Sequence, residues 1–344
     1  MLNLYEPDLK SSTVQKVFDG FKGDLLDLLK AIAQQEQVDE SFLLQPLHTD
    51  HQLAYGAMIA EAIGYDFDRG RLDVSPHPFS VGMSPSDTRI TTMIQSDDIR
   101  EMLFSTIHEV GHAMYEQGLP EEHLGWPQGS YCSLSIHESQ SRLWENNVAR
   151  SLPFWEQFFG KLRVLYPNLL IGNTPEDAFK AVNRVQPNLI RISSDELTYH
   201  FHVLLRFELE LALINGELSV KDLPDAWNAK IKDYLDLDVP SAQKGVLQDI
   251  HWSHGSFGYF PTYSLGSFYA AQFMNQAKQD IDGLEAGFAK GEFAPLKTWL
   301  NENIHQHGKL YNAEELCKRV TGETLNVSHF TAYAREKFGR VYGL

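Results

Sequence analysis

Apolar residues recur every three or four positions along most of this chain, a spacing that dictates helix far more than strand. The pattern runs through residues 14–33, 53–63, 99–115, 134–149, 154–165 and 175–182. It resumes through 194–214, 226–234, 265–281, 295–304, 313–320 and 327–338. Local signals mark several starts: Thr174-Pro175-Glu176 places a cap residue before proline, and Asp97-Asp98 puts carboxylates at a first turn. One stretch breaks the period. Residues 79–83 and 89–94 are β-prone and flank Ser84-Pro85-Ser86-Asp87, which predicts a small hairpin. The fold class is therefore mainly α, with a β-hairpin or small sheet beside the helix at 99–115. With 344 residues and no internal repeat or low-complexity linker, the chain reads as a single helical domain over 1–344, built as one body or as two lobes.

Composition excludes several functions. A net charge of −17 opposes binding to nucleic acid or to anionic membranes. No run is long enough to span a bilayer, and the opening MLNLYEPDLK lacks the basic-then-apolar pattern of a signal peptide. Cys132 and Cys317 are far apart and read as small buried hydrophobes, which fits a cytoplasmic protein.

The helix at 99–115 carries HEVGH, residues 108–112. Residues i and i+4 lie one turn apart on one helix face, so His108 and His112 can reach one metal ion. Glu109 stands beside the first ligand, where it can take a proton from an activated water. A catalytic zinc needs a third protein ligand. Glu138, in IHESQ on the next predicted helix, is 26 residues beyond His112. The alternative with a third histidine needs HExxHxxGxxH, but AMYEQGLP follows His112. Gly111 costs ~1 kcal/mol against alanine inside a helix, so close packing or space near a metal should compensate it.

Such a site suits amide hydrolysis. His251, His254, Tyr259 and Tyr263, all within residues 248–264, are candidate donors to the tetrahedral oxyanion. Removal of a C-terminal residue further requires a cation for the free carboxylate, and Arg191 or Arg89 could supply it. Spacing alone leaves endopeptidase and exopeptidase tied. Of the smaller features, the six tryptophans read as packing, His200 and His202 as packing or support residues, and Glu208 and Glu210 as salt-bridge partners. Asp249, Asp195 and Glu145 are unranked candidates to orient a ligand histidine.

Six motifs together resemble the carboxypeptidase Taq family of metallocarboxypeptidases. They are HPF at 77–79, DTRIT at 87–91, HEVGH, HESQ at 137–140, IRISSD at 190–195 and GVLQDIHW at 245–252. The family's IRxxAD pattern has Ser194 here in place of alanine. The resemblance implies a zincin-type helical clamp around a deep groove, with a small sheet beside the metal. It implies Zn2+, or Co2+ or another divalent ion, on His108, His112 and Glu138, with Glu109 as general base. Arg191 and Tyr263 would take the peptide's terminal carboxylate, and His251 would bind substrate or stabilise the intermediate. His77, Asp87 and Arg89 would shape the active-site wall. The implied activity is broad carboxypeptidase action on peptides, by a homodimer. Family members carry a helical region ahead of the segment resembling LYEPDL, where this chain begins. The resemblance thus also raises an N-terminal fragment as partner, and an inactive metal- and peptide-binding form or an oligopeptidase as alternatives.

Overall fold

The computed structural model describes residues 1–168 and 171–344. Among them the chain runs α1 (Ser11–Ile32), α2 (Thr49–Ile63), β1 (Leu72–Val74), β2 (Ser80–Ser84), β3 (Asp87–Thr92), α3 (Ile99–Gln117) and α4 (Leu134–Arg142). It continues through α5 (Leu152–Leu165), α6 (Pro175–Val182), α7 (Tyr199–Ile214), α8 (Leu223–Leu235) and α9 (Pro261–Asp280). The last helices are α10 (Leu284–Phe288), α11 (Ala294–Asn303), α12 (Ala313–Thr321) and α13 (Ser328–Tyr342). The fold is mainly helical, and each helical stretch read from apolar periodicity overlaps one of these helices.

Two compact units divide the chain. The first comprises Met1–Glu36, Asn183–Leu265 and Asn326–Leu344, and the second Gln37–Val182 and Gly266–Leu325. The core of the first forms around α1, which buries Val14, Phe18, Phe21, Leu25, Leu28 and Ile32, a stripe stepping four, three, four, three and four residues. Phe18 meets Phe21 and Phe207 edge-on at 5.5 and 5.3 Å between ring centres. His200 and His202 on α7 are buried here, hydrogen-bonded to Ser264 Oγ and to the Asn188 carbonyl.

In the second unit α3 is buried on nearly every side, against α2, α4, β2 and β3. Asp98 caps its start by accepting from the Arg100 N–H. The β-prone segment forms three strands ordered β1-β3-β2, with β1 parallel and β2 antiparallel to β3. The hairpin is thus present, and β1 extends it into a sheet. Leu72–Val74 escaped the sequence reading because three residues display no alternation long enough to recognise. Cys132 and Cys317 are buried and free. Of the tryptophans, Trp144, Trp155, Trp227 and Trp299 pack inside, whereas Trp126 is exposed. No helix among the described residues is long and apolar enough to cross a membrane.

Two glycines set how closely the central helices approach. A Cβ on Gly111 would lie 2.6 Å from both the Gln140 carbonyl oxygen and Ser141 Cα, so α3 and α4 meet backbone to backbone. On α9, a Cβ at Gly266 would lie 2.5 Å from Glu138 Cγ. Backbone neighbours cannot swing aside as a flexible side chain can. Gly111→Ala should therefore destabilise the protein by about 1–3 kcal/mol through overpacking. Gly160→Ala, on α5 with open space around its Cβ, should stabilise by about 0.5–1 kcal/mol. Urea unfolding of the two variants beside wild type checks both signs.

Candidate active site

The close approach of α3 and α4 carries three side chains to one point. His108 and His112 come from successive turns of α3 and Glu138 from α4, with one ligand atom of each lying within 4.8 Å of the others. Glu138 Oε2 is 3.7 Å from His108 Nε2 and 3.4 Å from His112 Nε2. Tetrahedral ligands on bonds of roughly 2.0–2.1 Å stand about 3.3 Å apart, so the spacing fits a zinc-sized cation. The donor set, two imidazoles and a carboxylate, suits the same kind of ion.

The backing of each ligand supports that fit. His108 Nδ1 lies 2.8 Å from Glu145 Oε2, which leaves Nε2 as the ligand atom. Glu145 is placed by a π-helical turn, Leu143–Ala149, that continues α4; the Arg150 N–H donates to the Glu145 carbonyl five residues back. Among Asp249, Asp195 and Glu145, the structure puts Glu145 on the metal histidine. Asp195 instead accepts from the N–H groups of Leu197 and Thr198 ahead of α7. His112 is backed differently: its Nδ1 meets His137 Nδ1, and His137 Nε2 meets Glu116 Oε1.

Electrostatics hold Glu138 and His112 in the forms a metal needs. Burial opposes charge on Glu138, but Arg142, His108 and His112 together keep its carboxyl far below the usual carboxylate range. Arg142, one turn along from Glu138, donates Nε to Glu138 Oε1 at 2.7 Å and Nη1 to Glu145 Oε2 at 3.1 Å. Sequence reasoning missed this arginine, although its i+4 spacing from Glu138 was a usable signal. Burial drives His112 down to about 3, so it is neutral and able to bind a cation. At His108 the anions Glu138 and Glu145 outweigh burial and raise the pKa, so a proton and a metal compete for it. Glu109 is pushed up to about 7, chiefly by burial, with Glu138 and Glu145 adding to it against His108.

The remaining expected residues fall in two places. In the hairpin, His77 is exposed, and Arg89 grips Asp87 through two hydrogen bonds, Nε to Oδ1 at 2.8 Å and Nη2 to Oδ2 at 2.9 Å. In the first unit, Arg191, His251 and Tyr263 are brought together. The Arg191 guanidinium lies 5.0 Å from the Tyr263 ring centre, and His251 Nε2 is 3.1 Å from Tyr263 Oη. Arg191 sits in a short 3-10 turn (Arg191–Ser193) ahead of α7, and Asp195, between the two, accepts from the Thr198 N–H. His254 is exposed, its ring 6.0 Å from that of His251.

Asp249 organises this cluster. Its Oδ1 accepts from Arg191 Nη2 at 2.8 Å and its Oδ2 from Arg206 Nε at 2.7 Å. Two guanidinium groups on one carboxylate leave one positive charge uncompensated. Burial, then Arg191, lowers His251 to about 4, so it stays neutral. Glu208 forms the expected salt bridge, to Lys230. Glu210 does not: its oxygens accept from Trp252 Nε1 at 2.6 Å and the Gly258 N–H at 2.8 Å, tying the segment around His251 to α7. The reason is its burial, which pushes Glu210 up to about 7.

An HExxH helix with a carboxylate ligand from the next helix defines a metallopeptidase of the two-histidine, one-glutamate type. The chain belongs to the carboxypeptidase Taq (M32) metallopeptidase family, which it matches over residues 1–338. It is 45% identical to thermostable carboxypeptidase 1 of Thermus thermophilus over all of its own length and 67% of that protein. To carboxypeptidase 1 of Bacillus subtilis it is 38% identical over 99% of its length and 68% of the relative's. The M32 carboxypeptidase structure from Deinococcus radiodurans superposes with a TM-score of 0.98 at 42% identity, across 100% of this chain and 69% of that one. The chain thus spans about two thirds of these relatives.

Glu210 gives this cluster a pH signature. A carboxyl raised in the fold favours the folded state below its unfolded pKa, near 4.3, and loses that advantage as pH rises through about 7. Glu210→Gln removes the titration. The melting temperature of wild type minus that of the variant should fall across this window and be flat above it. Thermal melts at half-unit pH steps test this.

Proposed function

We propose that the chain is a metal-dependent carboxypeptidase that works with zinc, or with cobalt or another divalent ion in its place. The observation that carries this reading is the convergence of His108, His112 and Glu138 with Glu109 next to the first ligand. These three would hold the ion, which when bound supplies Lewis acidity to the scissile carbonyl and to the attacking water. Glu109 takes the proton from that water as it attacks and returns it to the departing amine. In the metal-free protein burial pushes Glu109 up to about 7, and a bound cation beside it would favour the carboxylate that accepts the proton.

Arg191 and Tyr263 receive the free carboxylate of the peptide. Support comes from the excess positive charge around Asp249 and from the burial of Arg191, which strengthens any ion pair it makes. His251, held neutral, donates to the substrate or to the developing oxyanion. Arg89, His77 and His254 contribute contacts to the peptide at the hairpin and at the 251–258 segment. Broad preference among C-terminal residues follows from the family resemblance.

Glu109→Gln should retain about one metal ion per chain and lose roughly 10²–10⁴-fold in turnover. Metal analysis beside release of amino acid from a blocked dipeptide measures both. Undiminished turnover would sink the mechanism, and a wild-type chain that binds metal yet releases nothing would be a binding protein. Arg191→Ala should lower kcat/KM for free-acid peptides at least about tenfold more than for amidated ones, because only the former lose a charge-assisted hydrogen bond. Equal losses would favour an oligopeptidase.

A further inference from the structure

The two ligand histidines are supported unequally. His108 leans directly on a carboxylate, whereas His112 leans on a second imidazole that in turn reaches one. The contacts are 2.5 Å between His112 Nδ1 and His137 Nδ1, and 2.8 Å between His137 Nε2 and Glu116 Oε1. Two ring nitrogens this close share a single proton, since two protons would collide and two lone pairs would repel.

The direction of the chain of bonds is then determined. His112 Nε2 faces Glu138 Oε2 at 3.4 Å within the metal triad, and a ligand nitrogen carries no proton. The proton of a neutral His112 is therefore on Nδ1 and is donated to His137 Nδ1. His137 must then hold its own proton on Nε2 and donate it to Glu116. Every donor in the line has one acceptor, and each tautomer is fixed by the one before it.

The surroundings hold this line in place. The His137 ring lies 5.2 Å from that of Tyr115 and 4.9 Å, edge-on, from that of Tyr131. Tyr115 is itself anchored, its hydroxyl accepting from the Cys132 N–H at 3.0 Å. At the far end, β2 passes over the Glu116 side chain at Gly82, where a Cβ would lie 2.8 Å from Glu116 Oε2. The strand thus has a glycine where the carboxylate needs room.

We propose that His137 and Glu116 are positioning residues for the metal ligand His112, fixing its tautomer and ring angle through a directional imidazole–imidazole–carboxylate line. This rests on the reading of His108, His112 and Glu138 as a metal site. Neither residue touches substrate; both act through His112 on metal affinity.

The test is the zinc dissociation constant of the purified full chain, by competition with a chromophoric chelator, together with the melting temperature of the metal-free protein. His137→Leu removes the acceptor and should weaken zinc binding about 10–100-fold. His137→Asn keeps an acceptor oxygen near the Nδ1 position and should bind within a few-fold of wild type. A packing role would not separate these two variants. Glu116→Leu should weaken binding less than His137→Leu, and the double leucine variant no more than His137→Leu alone, because the line is already cut. The cobalt absorption spectrum should shift in His137→Leu and be restored in His137→Asn. Wild-type affinity in His137→Leu would overturn the proposal, as would equal losses in the leucine and asparagine variants. Should His137→Leu not fold, Glu116→Leu with unchanged zinc affinity would overturn it equally. A wild-type chain that takes up no zinc would overturn it together with the site on which it rests, and is told apart by that result.

Discussion

The structure depends on one contact between backbones. Because residue 111 has no side chain, α3 and α4 close to a distance at which ligands from both reach a common point. A methyl group there would push apart two helices that each carry part of the metal set. A second absence at Gly266 lets α9 lie directly on the Glu138 side chain and fix its rotamer. The ligands are accurate because the frame around them is tightly packed, and rigid interiors transmit rather than absorb displacement.

Such packing confines charge. Glu109, Glu138 and Glu145 are each under a tenth exposed, so three carboxyls share a small volume from which water is largely excluded. Left alone they would repel and take up protons. Arg142 and the histidines prevent this for Glu138 and Glu145, while Glu109 lacks equivalent compensation and stays poised near neutrality. Three acids of one chemistry are thereby set apart by their neighbours, two held ionised and one raised toward neutrality.

Much of this was legible in the residues. The helices followed from apolar period, and the metal triad from i, i+4 geometry plus a glutamate on the next helix. The features that stayed hidden depended on contacts that spacing cannot encode. Glu145 stood unranked beside Asp249 and Asp195 because a π turn leaves no trace in the apolar pattern. His137 was visible only as part of a motif, since its role arises where α4 faces the end of α3. Glu210 read as a salt-bridge partner, because the burial that changes its chemistry comes from the folded segment around Trp252 and Gly258.

The π turn at Leu143–Ala149 also constrains how this chain can vary. A π turn holds one residue more than an α turn over the same arc, so losing the residue ahead of Glu145 would let it close to regular helix, leaving the segment beyond nearly in phase but drawing Glu145 back around the axis. Glu145 would then leave His108, although no residue of the metal triad had changed. Conservative replacements along this segment leave Glu145 where it is, whereas a single deletion ahead of it does not. The most fragile feature of the centre is thus a count of residues rather than the identity of any one.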